Sequence, residues 1–302
     1  MIILSDEHNW TGGNTAVAFG MFDGLHKGHQ KLIDTVLKEA DQSKLTSMVY
    51  TYSNHPMSIF APDRVPPQLQ TQQEKIEMLS GTGIEAAVLR KFDLFYSQQE
   101  PYEFVKMVLH CLHPKSVVIG FNFSFGKNGI GNPQMMREYG DRYGFKVTVV
   151  DAVSMEGNTV SSTYIRKALQ RGDIANANKM LGYPYSVEIR VLSNTLGTAA
   201  SHSLFFIDWP DEKVMPKPGT YVCSAGIGNI ASNIILYIQR NILCSENERN
   251  IYILAPEFFS QVQGKKIRIS FLKCIRNEDK LLNGDSKFEP PMEDYSLLLE
   301  NE

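Results

Sequence analysis

Apolar residues in the first 180 positions alternate between short unbroken runs and longer stripes at helical spacing. The runs Ala16–Gly20, Ser47–Tyr52, Ala86–Arg90, Ser116–Gly120 and Lys146–Asp151 predict five strands, several of them apolar enough to be buried on both faces. Between them, Lys31–Ala40 places Leu32, Ile33, Val36 and Leu37 on one stripe. Gln73–Leu79, Pro101–Leu112 and Pro133–Tyr143 supply the later helical crossovers. Alternation of this kind predicts an α/β domain with a Rossmann-like parallel sheet.

A last helical stretch follows Ser162, and then the texture changes. From Tyr185 onward short alternating runs (VEIRV, LFFIDW, TYVCSA, NIILYI, NIYIL, KIRISFL) are separated by Gly, Pro, Asn or Asp. They predict a smaller antiparallel β-barrel or sandwich. Two domains are therefore expected, 1–184 and 185–302, with PPMEDYSLLLENE as a short closing helix.

Composition narrows the function classes. Lys and Arg number 30 against 33 Asp and Glu, a net charge of −3, and like charges do not cluster as a phosphate-backbone groove requires. Nucleic acid is thus not an expected partner. No apolar segment reaches the ~18 residues of a membrane span, and the start MIILSDEHNW lacks a secretory pattern, so a cytoplasmic, membrane-free protein is expected. Cys111, Cys223, Cys244 and Cys274 are scattered without a CxxC pair, which argues against a zinc cluster or disulfide framework.

Chemistry concentrates in Gly20-Met-Phe-Asp-Gly-Leu-His-Lys-Gly-His29, where the first strand ends and the first helix begins. Ligands of open α/β sheets bind beyond the carboxyl ends of strands, and a helix N-terminus offers free N–H groups to phosphate. Gly20, Gly24 and Gly28 let the backbone turn and approach a ligand closely. His26 and His29, three residues apart, share a face and can both donate to phosphate oxygens. Either histidine alone also suits a helix cap, and Asp23 before Gly24 also suits a turn.

GMFDGLHKGH resembles the GxFDGxHxGH signature of HxGH nucleotidyltransferases, in the variant of the bacterial FAD synthetase family, the two-domain riboflavin kinase/FMN adenylyltransferases. Three further segments carry the same resemblance in the same order. Thr51-Tyr-Ser-Asn-His-Pro56 is similar to a flavin-side T-F-x-P-H-P loop, Gly120-Phe-Asn-Phe-Ser-Phe-Gly126 to G-x-[DN]-F-x-F-G, and Val160-Ser-Ser-Thr-Tyr-Ile-Arg166 to I-S-S-T-x-I-R.

The resemblance implies that adenylyl transfer from MgATP to FMN gives FAD and pyrophosphate, with ATP and FMN as substrates and Mg²⁺ accompanying ATP. It implies catalytic roles for His26, His29 and Arg166. An ATP site is implied at Gly20, Phe22, Asp23, Gly24, Gly28, Asn122, Ser162 and Thr163. Ser162 and Thr163 are expected as cap residues ahead of a helix, with Arg166 one turn on. His55, Pro56, Arg64, Phe123 and Phe125 are implied at FMN, although a Phe-x-Phe pair taken alone also suits core packing. Asn54 stands where the family has Pro. No direct protein ligand for the metal is assigned.

Leu181-Gly-Tyr-Pro-Tyr185, Lys217-Pro-Gly-Thr-Tyr221 and Gln263–Phe271 extend the resemblance into the kinase-like half, mainly at fold-determining positions. The kinase's P-T-A-N segment is missing from Thr195–Asp208, and its E-x-H-x-x-D-F strand reads Asn250-Ile-Tyr-Ile-Leu-Ala-Pro256. A degenerate kinase module is expected, with Glu246 or Glu248 as the alternative base. The rival functional readings are a nucleotidyltransferase using another phosphorylated acceptor and a non-catalytic flavin- or nucleotide-binding regulator.

Overall fold

The computed structural model describes residues 1–197, 202–227, 230–240, 249–256 and 261–277. The chain forms two compact units, Met1–Ser161 and Ser162–Glu302.

The first unit is built on a six-stranded parallel sheet: β1 (Ile2–Leu4), β2 (Thr15–Phe19), β3 (Thr46–Tyr52), β4 (Ala86–Arg90), β5 (Pro114–Gly120) and β6 (Lys146–Val150). Its order is β1-β4-β3-β2-β5-β6, so the chain steps outward one way from β2 through β3 to β4 and then returns to β2's other side with β5. The sequence pattern anticipates the five long strands. It does not anticipate β1, whose three residues pair with Ala86–Val88 at the sheet edge.

All five residues of β2 are buried, and the four apolar ones divide between two cores. Val17 and Phe19 meet Phe104, Val105 and Val108 of α5 (Pro101–Leu112) on one face. Ala16 and Ala18 meet Leu32, Ile33 and Val36 of α1 (Lys27–Ser43) on the other. Small side chains on that second face let α1 lie close to the strand that feeds it. The unit also holds α2 (Met57–Phe60), α3 (Gln72–Ser80), α4 (Leu94–Ser97), α6 (Pro133–Tyr143) and the hairpin β7 (Ser154–Met155) and β8 (Asn158–Thr159).

The second unit opens with α7 (Ser162–Gln170) and α8 (Ile174–Leu181) and continues into a closed antiparallel barrel. Its strands are β9 (Ser186–Gly197), β10 (His202–Asp208), β11 (Gly219–Ile227), β12 (Ile230–Arg240), β13 (Arg249–Pro256) and β14 (Lys266–Asn277), in the ring order β10-β13-β12-β11-β14-β9. Five of the six alternating runs lie wholly on these strands, and LFFIDW overruns the end of β10 by Trp209. Buried Val187, Ile189 and Val191 on β9 alternate with Glu188 and Arg190, as barrel closure demands.

The compact units divide earlier than the textural change at 184/185, because α7 and α8 pack together and the Asn178 side-chain amide donates to the Phe271 carbonyl of β14 at 2.8 Å. The closing segment after residue 277, including the expected terminal helix, lies outside the described residues, as does Cys244. Cys111 and Cys223 are buried free thiols, and burial raises their pKa. Among the described residues no helix is long and apolar enough to cross a membrane.

Candidate active site

The turn from β2 into α1 sits at the carboxyl end of the strand where the sheet order reverses, the position at which open α/β sheets bind ligands. α1 begins directly after His26, four residues ahead of the predicted helix. His26 is the N-cap. Its Nδ1 accepts from the His29 backbone N–H at 3.3 Å, which places the proton of the neutral ring on Nε2. The His26 and His29 rings stack with centroids 3.7 Å apart and planes 14° apart.

The pair has a fixed support. Phe22, fully buried, lies 5.2 Å from the His29 ring. Phe22 (φ 50°) and Leu25 (φ 29°) both adopt positive φ, so this turn stores backbone strain that the surrounding contacts must hold. Gly28 leaves room for the stack, since a Cβ there would meet His26 ring atoms at 3.1 and 3.2 Å. The same added atom would lie 3.8 Å from the Val160 carbonyl, so the backbone at Val160 passes this turn.

Burial pushes the His29 ring well below the ordinary histidine pKa, and the nearby His26 and Lys75 charges act in the same direction. A neutral ring follows. Its Nδ1 is buried without a hydrogen-bond partner, an orphaned polar atom of the kind that a bound ligand or water satisfies.

The other residues expected at the turn act mainly as supports. Asp23 is buried, and its Oδ1 accepts from the backbone N–H groups of Leu69 at 2.9 Å and Gln70 at 3.2 Å. The Gln70 side chain accepts in turn from the Gly24 N–H at 3.1 Å. Among the described residues the one clustered set of ligand-type side chains, Asp6, Glu7 and His8, is already tied to Arg90 and to the Tyr50 hydroxyl.

Loops from the neighbouring strands flank the turn. After β5, an added Cβ at Gly120 would stand 3.3 Å from Asn122 Oδ1, and Asn122 itself is exposed. Half-buried Phe123 packs against Phe19 at 5.8 Å and stacks on Phe125 at 5.5 Å. Phe125 is a core residue, 5% exposed and 5.3 Å from Phe104, so it backs Phe123 rather than forming an open wall.

After β3, His55 Nδ1 accepts from the Met57 N–H at 3.1 Å, and Pro56 is the N-cap of α2. Asn54, the departure from the family pattern, has a defined role. It accepts from the Phe92 N–H at 2.8 Å and donates to the Phe92 carbonyl at 2.9 Å, tying this loop to the one after β4. Arg64 is exposed on a 3₁₀ turn, Pro62–Arg64. Ser162 and Thr163 are the first two residues of α7 rather than cap residues ahead of it, and half-buried Arg166 lies one turn on, all three in the second unit.

Sequence reasoning missed Lys75. It is 7% exposed, and its ammonium donates to the carbonyls of Met21 at 3.1 Å and Tyr52 at 3.2 Å. The Thr71-x-x-Glu74 capping box sets where α3 starts, but no residue around Lys75 marks it in the sequence as inward-facing.

The first unit thus carries a paired-histidine helix start at the switch point of its parallel sheet, and the second unit carries a closed barrel. The chain matches the FAD synthetase family model over residues 8–164 and the riboflavin kinase model over residues 181–286. It is 30% identical over 283 residues to a bifunctional riboflavin kinase/FMN adenylyltransferase of Listeria monocytogenes, covering 92% of this chain and 88% of the relative. The Bacillus subtilis protein of the same description is 30% identical over 276 residues, covering 88% and 85%. The chain belongs to the bifunctional riboflavin kinase/FMN adenylyltransferase family. The crystal structure of a macrolide-efflux protein from Streptococcus pneumoniae superposes with a TM-score of 0.81 at 24% identity, over 99% of this chain and 96% of that one, and shares the fold.

Proposed function

We propose that this protein acts in the cytoplasm as an FMN adenylyltransferase, making FAD from FMN and MgATP, and that its barrel is a kinase-like module without riboflavin kinase activity. The observation that carries the first half is the stacked His26–His29 pair at the start of α1, with one ring nitrogen unsatisfied.

In the reaction, an oxygen of the FMN phosphate attacks the α-phosphorus of ATP while the bond to pyrophosphate breaks. No covalent enzyme intermediate is required. His26 presents Nε2–H to the nucleotide phosphates, and His29 serves as a neutral donor beside it. The N–H groups at the start of α1 add a field that favours anions. Arg166 neutralises the departing pyrophosphate, with Ser162 and Thr163 contributing donors at the start of α7. Asn122 reads the nucleotide, while His55, Pro56, Phe123 and Arg64 form the flavin side. Phe22, Asp23 and Phe125 keep these groups in place from beneath. Mg²⁺ enters with ATP and supplies charge neutralisation.

The second half rests on β13. Its residues Asn250–Pro256 occupy the place of the expected base-bearing strand and offer no carboxylate, with Ile251, Ile253, Leu254 and Ala255 all buried. Glu246, Glu248 and Thr198–Ser201 lie outside the described residues.

Incubation of pure protein with MgATP and either FMN or riboflavin, followed by chromatographic separation of the flavins, tests both halves. FAD from FMN with riboflavin untouched is the expected result. FMN formed from riboflavin overturns the silent barrel, and no FAD from FMN overturns the adenylyltransferase.

A further inference from the structure

We propose that Lys75 is a positioning residue whose ammonium ties together the carboxyl ends of β2 and β3, and so fixes the spacing between the histidine turn and the His55–Pro56 loop. Met21 is the second residue beyond β2, and its carbonyl accepts from Lys75 Nζ at 3.1 Å; Tyr52 closes β3, and its carbonyl accepts at 3.2 Å. The Thr51 hydroxyl donates to the same Met21 carbonyl at 3.0 Å, so both residues at the end of β3 bear on this junction.

β2 and β3 are already paired along their length, from Thr15–Thr46 to Phe19–Tyr50. That ladder stops where the loops begin. Beyond it the two chains diverge, one into the strained Phe22–Leu25 turn and the other toward Asn54. Lys75 supplies charge-assisted hydrogen bonds at the point of divergence, and such bonds are about twice as strong as neutral ones.

A methionine or leucine would fill the same space on α3 without that link. A buried ammonium is costly, and burial does lower the Lys75 pKa while the Asp23 carboxylate counteracts it. The titratable groups facing Lys75 are Asp23 from the β2–α1 turn and His29 from α1. Those facing His29 are His26 and Lys75. The ammonium thus adds to burial in disfavouring a positive charge on the His29 ring.

The tether itself is independent of the reaction; its effect on substrates rests on the adenylyl-transfer reading. NMR of the full chain labelled with ¹⁵N-lysine tests the tether directly, the Lys75 signal being assigned by its loss in Lys75→Arg. Ammonium protons held by two carbonyls exchange slowly and give an observable cross-peak in the wild type, and solvent-like exchange at Lys75 overturns the proposal whether or not FAD is made. Steady-state kinetics tests the consequence. Lys75→Met is expected to raise KM for FMN and for ATP together by about tenfold or more. It is expected to raise the pKa of the His29 ring as well, with Lys75→Arg recovering most of both changes. A folded Lys75→Met protein with both KM values unchanged, or with only one raised, overturns the positioning role.

Discussion

His26 caps the helix that carries His29, and the two rings lie face to face 3.7 Å apart. One hydrogen bond, from the His29 N–H to His26 Nδ1, sets the tautomer of the first ring and the register of the second. Two bland roles for a histidine near a helix start, a cap and a packed ring, together fix the geometry of this pair.

Replacement of His29 by Ala is expected to lower FAD formation by about a hundredfold or more, the scale of losing one preorganised donor to developing charge. The thermal melting curve should stay cooperative. Near-normal turnover in that variant would remove the role assigned to this ring.

Gly28→Ala places a methyl group 3.1 Å from the His26 ring without touching the chemistry of either histidine. The ring must give way, which loosens the cap and the stack together. Turnover per folded molecule is expected to fall at least ~10-fold, the scale of displacing a positioned group. Broadening or movement of the His26 ring signals in NMR would accompany that loss, and unchanged signals with full activity would show that the stack is not needed.

Asn54→Ala leaves both the N–H and the carbonyl of Phe92 without their side-chain partner. The cost is about 1–3 kcal/mol for such half-buried groups. Because the bond spans the loops after β3 and β4, the expected kinetic sign is a raised KM for FMN with KM for ATP little changed. Isothermal titration with FMN and, separately, with ATP checks this, and equal weakening toward both substrates would contradict it.

Glu39 gives the first unit an acid-sensitive link. It is 7% exposed on α1 and accepts from Lys146 Nζ at 2.8 Å, from the Thr148 hydroxyl at 2.6 Å and from the Ser116 hydroxyl. Burial alone would raise its pKa, but these three partners prevail and hold it below the ordinary value of 4.5. The stabilisation is therefore complete above that value and is lost as pH falls below it. Glu39→Gln is expected to cost about 1–3 kcal/mol at neutral pH and to flatten the decline in urea midpoint between neutral and acid pH.

How far the structure could be read from residues depended on how many residues spoke at once. β2, β3, β4, β5 and β6 each present an unbroken apolar run, so their burial on two faces was legible. β1 has three residues, too few for any period, and gains its place only by pairing with Ala86–Val88. The helix at Lys27 was expected at Lys31 because its first turn, Lys-Gly-His-Gln, carries no apolar stripe; the His26 cap starts it. At the site, the histidines and glycines were legible because they cluster in one ten-residue segment. Lys75 was not, since a lysine in Gln-Gln-Glu-Lys reads as a solvated helix face, and only the folded chain shows that it turns inward to two carbonyls. The double bond of Asn54 to Phe92 likewise joins residues whose proximity depends on the β3–β4 pairing.

The barrel's ring order has a consequence during synthesis. β9, its first strand, pairs with β14, its last, from Ser186 opposite Ser270 to Arg190 opposite Lys266. As the chain leaves the ribosome, the second unit cannot close until Lys266–Asn277 has emerged, and until then β9 and β11 both wait with an unmatched edge. The first unit, complete in sequence by Ser161, is free to fold while that wait continues.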